Sequence, residues 1–434
     1  MRATLEWGRD FETVSTAHET ELIEDGASSH PVSLWHNRDY ILLWSGQAVS
    51  TTGTQVAQIA FPLLILAMTG SPAHAGLMSA LRIMPYIVLS LPAGALVDRW
   101  DRKWAMIVCD TGRAIALGSI PLTYWTGHLS LAQLYLVALA EGTLAVFFGL
   151  ANTSALPQVV GKEQLSRAMA QNEAAWQGAS LLGPLLGGGL YTLGRAVPFL
   201  VDAVSFAASV VSLRFIRREF QEARAEPPGQ LRQEILEGVR WLWGQPLIRT
   251  MAVLGALYWV AFSGETLVVI VLAKGQHASP GTIGIIFSVG GVGGLIGSLL
   301  ASRASRLGFG RVVITAAWLM AGLRSLYALG GNLVVLAVIH AGIWLVFPIY
   351  NVVQMGYRLA LTPDQLQGRV NSVFRLIAFT GQPVGMALSG VLLESVGARG
   401  TVVALLVSPV LMATLATMSV SVREAVPLAE VQAA

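Results

Sequence analysis

Long apolar stretches separated by short polar ones make up most of the chain from residue 40 onward. Segments without Asp, Glu, Lys or Arg include 40–81, 275–302 and 325–357. A helix needs roughly 20 apolar residues to cross a hydrocarbon core of ~30 Å, and Gly, Pro and Ser clusters divide the longest stretches. The pattern predicts twelve membrane-spanning helices with approximate limits 40–67, 73–97, 104–125, 129–151, 168–193, 197–215, 248–273, 281–302, 311–329, 332–354, 370–393 and 400–421.

The composition supports a membrane protein. Hydrophobic residues form 54% of the 434 residues and charged residues only 12%, about half of the ~25% typical of soluble domains. Such a chain cannot cover a water-facing surface with polar groups, which argues against soluble enzymes, disordered proteins and disulfide frameworks. The single cysteine, Cys109, allows no intrachain disulfide.

Basic residues alternate with the predicted spans. If the N-terminus is cytoplasmic, 21 of the 28 Lys and Arg residues fall in cytoplasmic segments, 3 in the opposite loops and 4 within spans. Cytoplasmic loops of membrane proteins carry such an excess. We therefore expect a multi-pass protein of the cytoplasmic (inner) cell membrane with both termini in the cytoplasm.

The spans divide six and six around a polar connector that contains the helix breakers Pro227 and Pro228. The predicted units are a disordered tail (1–38), a first six-helix bundle (39–215), a linker (216–246), a second six-helix bundle (247–421) and a C-terminal tail (422–434). Residues 1–33 lack a basic start followed by an apolar core, so we expect no signal peptide there.

The two halves show weak internal similarity. The string 94–103, after span two, aligns with 297–306, after span eight, and 163–170 aligns with 364–371. Two related halves in the same orientation imply a pseudo-two-fold axis along the membrane normal, an arrangement suited to alternating access. Chance matching of short Gly and Arg strings is the alternative explanation.

The string 94–103 resembles the signature of the major facilitator superfamily between spans two and three, and the resemblance covers roughly 35–420. The matching residues are Gly94, Asp98, Arg99, Arg102 and Lys103, while Asp101 stands where the signature prefers glycine. The resemblance implies an all-α membrane protein of twelve helices in two six-helix bundles. Spans one, four, seven and ten would line a central cavity, with three, six, nine and twelve outside it. It also implies that Asp98 helps hold the halves together at the cytoplasmic mouth; a loop charge that only fixes topology is the alternative.

Span five carries a second motif, formed by Gly183, Pro184, Gly187 and Gly188. It resembles a Gly-Pro-x-x-Gly-Gly motif associated with exporters and antiporters of the superfamily. Proline removes a backbone hydrogen bond and kinks a helix, and glycines let neighbouring backbones approach. Span eleven has a partial copy at 381–385.

Looser matches at 37–47, 198–206 and 363–372 resemble drug:proton antiporters that include macrolide-efflux and enterobactin-exporter proteins.

Ionisable residues inside spans are functional candidates because each costs several kcal/mol to insert. Glu141 in span four and Glu265 in span seven are expected in the cavity, where burial disfavours the charged carboxylate and lets it exchange a proton for a cationic or polar substrate group. Arg82 would be a counter-ion or an anion-binding group. Permanent pairing of Glu141 with a neighbour such as Arg82 is the alternative.

Six further charged residues are secondary candidates. Asp110 and Arg113 can meet on one helix face, while structural pairing or snorkelling is favoured for Asp202 and Arg324. Glu173 and Arg375 lie near the cytoplasmic ends of their spans and would help close an inner gate. His340 is interpreted as a packed or hydrogen-bonded histidine rather than a proton relay.

These features predict a secondary transporter that exports small amphipathic molecules, such as drugs, antibiotics or siderophores, in exchange for protons. A proton-coupled uptake symporter on the same fold is the alternative, and an intramembrane enzyme or receptor is a distant one. We expect no enzymatic activity, no cofactor, no metal and no nucleic-acid partner. The expected partners are a small-molecule substrate, protons and the lipid bilayer, and the expected oligomeric state is a monomer.

Overall fold

A computed structural model of the protein describes residues 34–97, 99–218, 220, 231–304 and 306–425. Most of the predicted N-terminal tail, Asp98 and the end of the C-terminal tail lie outside these described residues. The helices of the first half are α1 (Arg38–Thr69), α2 (Pro72–Val97), α3 (Arg102–Trp125), α4 (Leu131–Val160), α5 (Leu165–Leu193) and α6 (Val197–Phe215). The linker contributes α7 (Leu231–Gly244). The second half contains α8 (Pro246–Gly275), α9 (Pro280–Ala304), α10 (Phe309–Leu329), α11 (Leu333–Leu361), α12 (Gln367–Phe379), α13 (Gly381–Leu405), α14 (Val407–Met418) and α15 (Val420–Arg423).

Polar caps fix where several helices begin. The side chains of Asn37, Asp101, Ser130 and Asn332 each accept a hydrogen bond from the backbone N–H three residues later, which satisfies a donor left free at a helix start. Asp101 is the residue that departs from the family signature. Its acceptance of the Trp104 N–H at 2.7 Å gives that departure a structural role as the cap of α3.

Nine segments of the described chain are long and apolar enough to cross a membrane, judged by length and composition. The last of them, Asp364–Met418, contains a non-helical residue, Gly397, with φ 71°. On either side of it, Ser389 and Leu405 both lie against Gly264 of α8. The chain therefore runs past α8 and returns along it, so this segment contains two crossings. When that segment is counted as two crossings, and α2 and α5 with their 26 and 29 residues are added, the fold is consistent with the predicted twelve spans.

The buried side chains form three clusters that distinguish the two ends of the bundle. One cluster, with Phe61, Phe199, Ile283 and Ile343, contains residues of both halves. It lies at the end where α1 and α3 finish, which we call the sealed side. At the other end, which carries the Lys- and Arg-rich loops and is called the basic side, each half has its own separate cluster. The two halves are thus joined on the sealed side and parted on the basic side.

Two glycine contacts join the halves on the sealed side. A Cβ added to Gly188 of α5 would lie 2.3 Å from the Pro280 carbonyl oxygen of α9, and one added to Gly76 of α2 would lie 2.5 Å from the Met386 carbonyl oxygen of α13. Small residues of this kind let membrane helices pack backbone to backbone. Helix two of the first half therefore contacts helix eleven of the second, and helix five contacts helix eight.

Candidate functional site

A cavity of about 620 Å³ lies between the halves, within the 300–1,000 Å³ typical of sites for drug-sized ligands. Its apolar lining includes Phe61, Met78, Ile83, Tyr86, Val146, Leu267, Phe379 and Met386, and its polar lining includes Gln58, Arg82, Arg113, Glu141, Asn371, Arg375 and Gln382. Spans one, four and seven line it as the resemblance implied, and Arg113 adds span three, which the resemblance placed outside the cavity. Among the described residues span ten contributes none, whereas spans two and eleven form much of the wall, because helices two and eleven meet directly beneath it.

Glu141 of α4 forms ion pairs with two arginines. Arg82 Nε donates a hydrogen bond to Glu141 Oε2 at 2.5 Å, and Arg113 Nη2 donates to Oε1 at 2.7 Å. Helices α2 and α4 can approach because residue 142 is glycine: a Cβ there would lie 2.0 Å from the Arg82 carbonyl oxygen. In this structure Glu141 is therefore ion-paired with Arg82, with Arg113 as a second partner.

Arg113 also connects Glu141 to further groups. Its Nη1 lies 3.5 Å from Asp110 Oδ1, and its guanidinium carbon lies 3.8 Å from the centre of the Phe206 ring. Such cation–π contacts stabilise a desolvated cation. Asp202, one turn before Phe206 on α6, is 0% exposed and accepts a hydrogen bond from the Ser205 hydroxyl at 3.3 Å.

Glu265 lies in a second cluster, inside the second half. Its Oε2 accepts from Arg324 Nε at 3.2 Å, while its Oε1 contacts His340 Nδ1 at 2.9 Å and the Tyr327 hydroxyl at 3.1 Å. Glu265 is not part of the cavity lining; it faces a small void bounded by α8, α10 and α13. The structure therefore places Glu265 behind the cavity wall, with Arg324 and His340 as structural partners.

The described residues of the 94–103 string contact their own half. Arg102 Nη1 donates to the carbonyl oxygens of Ser154 and Phe220, both at 3.1 Å, and Lys103 Nζ donates to Ile216 at 2.7 Å. Ile216 is the residue directly after α6, at a helix end where unpaired carbonyls attract cations. Gly94 lies in the last turn of α2 and Arg99 in the turn that follows. Asp98, the proposed gate residue, lies outside the described residues.

The exporter motif packs two faces of α5. Cβ atoms on Gly183 and Gly187 would lie 2.3 Å from Gln55 Cβ and 2.5 Å from the Val56 carbonyl oxygen of α1, while Gly188 faces α9. On the same face, a Cβ added to Gly284 of α9 would lie 2.5 Å from the Pro184 carbonyl oxygen.

In the partial copy, Gly381 and Gly385 pack in the same way against carbonyl oxygens of α8. The motif therefore joins each helix to the first helix of its own half.

The two expected gate residues lie apart. Arg375 faces the cavity, with its guanidinium 5.8 Å from the Tyr86 ring centre and 5.6 Å from that of Phe379. Glu173 is exposed and accepts a hydrogen bond from Gln177 at 3.1 Å.

The sequence analysis did not identify Tyr327 and Phe206 as partners of the charge clusters. The i, i+4 spacing of Phe206 from Asp202 was the one available signal.

The described residues contain no group of three or more His, Cys, Asp or Glu side chains placed to hold a metal ion. What they provide is a drug-sized space with paired charges in its wall. Such a site can bind a small molecule and exchange partners between charged groups.

Comparison with known proteins agrees with this geometry. The multidrug efflux pump Tap of Mycobacterium tuberculosis is 29% identical over 375 residues, which are 82% of this chain and 87% of that protein. The enterobactin exporter EntS of Escherichia coli is 26% identical over 349 residues, 79% of this chain and 82% of that protein. The crystal structure of a bacterial homologue of the human lysosomal transporter Spinster, in an inward-facing and unoccupied conformation, aligns with a TM-score of 0.70 at 14% identity, over 89% of this chain and 97% of that one. The family profile described as Major Facilitator Superfamily matches residues 43–353. The chain therefore belongs to the Major Facilitator Superfamily of membrane transporters.

Proposed function

We propose that the protein exports small amphipathic molecules across the cytoplasmic membrane in exchange for protons. The observation that carries this proposal is the cavity between the halves, which has charged groups in its wall and is closed on one side only. The named relatives, a multidrug efflux pump and an enterobactin exporter, support a drug-like or siderophore-like substrate.

The two glycine contacts form the closed gate of an alternating-access cycle. The halves are joined at α2–α13 and α5–α9 on the sealed side, so access to the other compartment requires these contacts to part while the basic side closes. Movement of one repeat against the other around a fixed central site is how such transporters work. One chain builds the whole cavity, so we propose that the monomer is functional.

The direction of transport follows from the orientation. If the basic side faces the cytoplasm, as its Lys and Arg content predicts, the cavity is open to the cytoplasm and can collect substrate there. One elementary charge that moves through ~150 mV supplies about 3.5 kcal/mol. That energy sustains a substrate gradient of a few hundred-fold.

Transport in inside-out vesicles tests the proposal, with ethidium as an amphipathic fluorescent probe and a catechol siderophore as a second. With an acidic lumen we expect probe uptake that stops when an ionophore collapses the pH difference. One pH unit supplies about 1.4 kcal/mol, so one-for-one exchange would approach tenfold accumulation. Uptake without dependence on the pH difference would contradict proton exchange. Probe accumulation in right-side-out vesicles with an acidic exterior would instead favour the uptake symporter.

A further inference from the structure

Among the described residues, the buried charges of the first half do not balance. The cluster contains three carboxyl groups, Glu141, Asp110 and Asp202, but only two guanidinium groups, Arg82 and Arg113. Glu141 engages both arginines directly. An isolated carboxylate inside a membrane protein costs several kcal/mol, and a proton on one carboxyl group removes that cost. The unbalanced charge therefore needs one proton.

Asp202 is the one carboxyl group of the three that forms no ion pair with a described residue. Asp110 lies 3.5 Å from Arg113 Nη1, although neither of its oxygens accepts a hydrogen bond from a described residue. Asp202 is 0% exposed, and its Oδ2 atom accepts no hydrogen bond from any described residue. Its Oδ1 atom receives only the Ser205 hydroxyl, and Gly53 of α1 lies directly against it. Since the ionisable side chains of α1 are confined to its first turn, α1 brings no counter-charge to this site.

The charged groups that face Asp202 come from the other neighbouring helices. They are Arg113 of α3, Glu141 of α4 and Arg82 of α2. Asp110 lies one turn from Arg113 on α3. Both arginines are already hydrogen-bonded to Glu141, so Asp202 can gain a cation only when Glu141 gives one up.

Arg113 is placed to make that exchange. Its guanidinium stacks on Phe206, which lies four residues after Asp202 and so on the same face of α6. Arg113 also lines the cavity together with Glu141, whereas Asp202 lies behind them, outside the cavity lining. A side-chain rotation over the Phe206 ring would bring the guanidinium from Glu141 toward Asp202.

We propose that Asp202 carries the exchanged proton and that Arg113 passes between Glu141 and Asp202 as the proton leaves and returns. This inference rests on the proposed proton exchange. A hydrogen-bond donor of the substrate binds Glu141 and releases Arg113, which turns to Asp202. The O–H bond of the Asp202 carboxyl then breaks, its electron pair stays on the oxygen, and the proton passes to a water molecule that reaches Asp202 from the cavity as Arg113 moves. Arg113 keeps its own charge throughout.

The same steps run in reverse after the cavity opens to the other compartment. A proton that binds Asp202 releases Arg113, which returns to Glu141 and displaces the substrate. Substrate and proton therefore exclude each other, and such coupling is reciprocal by thermodynamic necessity. Mutual exclusion of substrate and proton is the condition for exchange rather than co-transport.

Infrared spectroscopy of the purified full-length protein in lipid tests this assignment without a substrate. A protonated carboxyl group absorbs through its C=O stretch, which an ionised carboxylate lacks. We expect the wild-type protein to show such a band at neutral pH, and Asp202→Asn to lose it. Asp39→Asn should keep it, because Asp39 is a half-buried carboxyl group of the same half that accepts hydrogen bonds from the Arg217 and Arg218 backbone N–H groups, away from this cluster. Absence of the band in the wild type, or its survival in Asp202→Asn, would overturn the proposal.

Glu141→Gln provides a second variant that leaves Asp202 intact. It frees Arg113 and leaves two arginines with two aspartates, so Asp202 should ionise and the band should disappear. Survival of the band in Glu141→Gln would overturn the exchange of Arg113 while leaving Asp202 as the protonated group.

Transport separates this inference from the proposed function. In vesicles, Asp202→Asn should reduce pH-driven ethidium accumulation at least tenfold while it keeps the exchange of labelled for unlabelled ethidium. If the wild type shows the infrared band but no pH-driven accumulation, the proposed function fails and Asp202 still holds a proton. If accumulation by Asp202→Asn equals that of the wild type, the proton is carried elsewhere.

Discussion

At the scale of single residues, the two buried glutamates occupy different settings. Glu141 lines the cavity and holds Arg82 and Arg113, whereas Glu265 is enclosed in its own half by Arg324, His340 and Tyr327. A carboxylate that meets the cavity can exchange partners with a ligand. One that is surrounded by fixed donors behaves as part of the core.

Glu265→Gln should therefore lower stability rather than remove a transport step. The change leaves Arg324 buried without its counter-charge, and breaking such a pair costs on the order of 3–5 kcal/mol. We expect a lower thermal midpoint in detergent, with ethidium affinity unchanged in the folded fraction. Glu173→Gln, at an exposed position, is the matched control and should have little effect. Equal midpoints in the two variants would contradict this assignment.

The sequence predicted which charges enter the membrane but not which way each one faces. Span seven lines the cavity through Ser263, Thr266 and Leu267, while Glu265, between them, points away. The rotation of a helix about its axis decides this difference, and it depends on packing against helices distant in sequence. Two glutamates that look alike in the chain thus have different surroundings in the fold.

At the scale of elements, α5 shows how a glycine motif serves two neighbours. Gly183 and Gly187 pack on α1 within the first half, and Gly188 packs on α9 across the interface. Only the second contact must part when the sealed side opens. The exporter motif therefore couples internal packing to the conformational change.

Gly188→Val should shift the protein toward the outward-open state. An added side chain meets the backbone of Pro280 and Gly284, and overpacking of this kind costs about 1–3 kcal/mol, which changes an equilibrium roughly 5–150-fold. In a Cys109→Ser background with Gln58→Cys in the cavity wall, labelling by an impermeant maleimide from the sealed side should accelerate. Gly189→Val is the control, because a Cβ at residue 189 meets no atom within 4 Å. Similar labelling rates in both variants would count against a role for this contact.

The apolar runs predicted the helices well because crossing length is set by the bilayer. The linker was predicted less completely: residues 231–244 form the helix α7, whose Gly238 packs against the Arg369 backbone of α12. Span eleven is also divided, with α12 ending at Phe379 and α13 beginning at Gly381. Such details depend on tertiary contacts, which a periodic pattern in one segment does not contain.

At the scale of the whole molecule, the cavity opens on the side where the Lys- and Arg-rich loops lie. The buried clusters of that end are separate in the two halves. Orientation in the membrane therefore decides which compartment supplies the substrate.

Cysteine labelling of whole cells tests this orientation. In the Cys109→Ser background, His128→Cys on the sealed side should react with an impermeant maleimide in intact cells. Gln233→Cys on α7 should react only after the membrane is permeabilised, because we expect the linker to be cytoplasmic. Labelling of residue 233 in intact cells would reverse the proposed direction of transport.

The continuous apolar core of the sealed side also determines which conformation the protein adopts when no substrate is bound. Separating the halves there would hydrate hydrocarbon surface shared by both bundles, whereas the described residues of the opposite end form no buried apolar cluster shared by the two halves. An unloaded carrier would thus rest open toward one compartment and seldom cycle empty. The free-energy cost of hydrating this apolar surface would suppress ion leakage without substrate transport, and no separate gating interaction would be required.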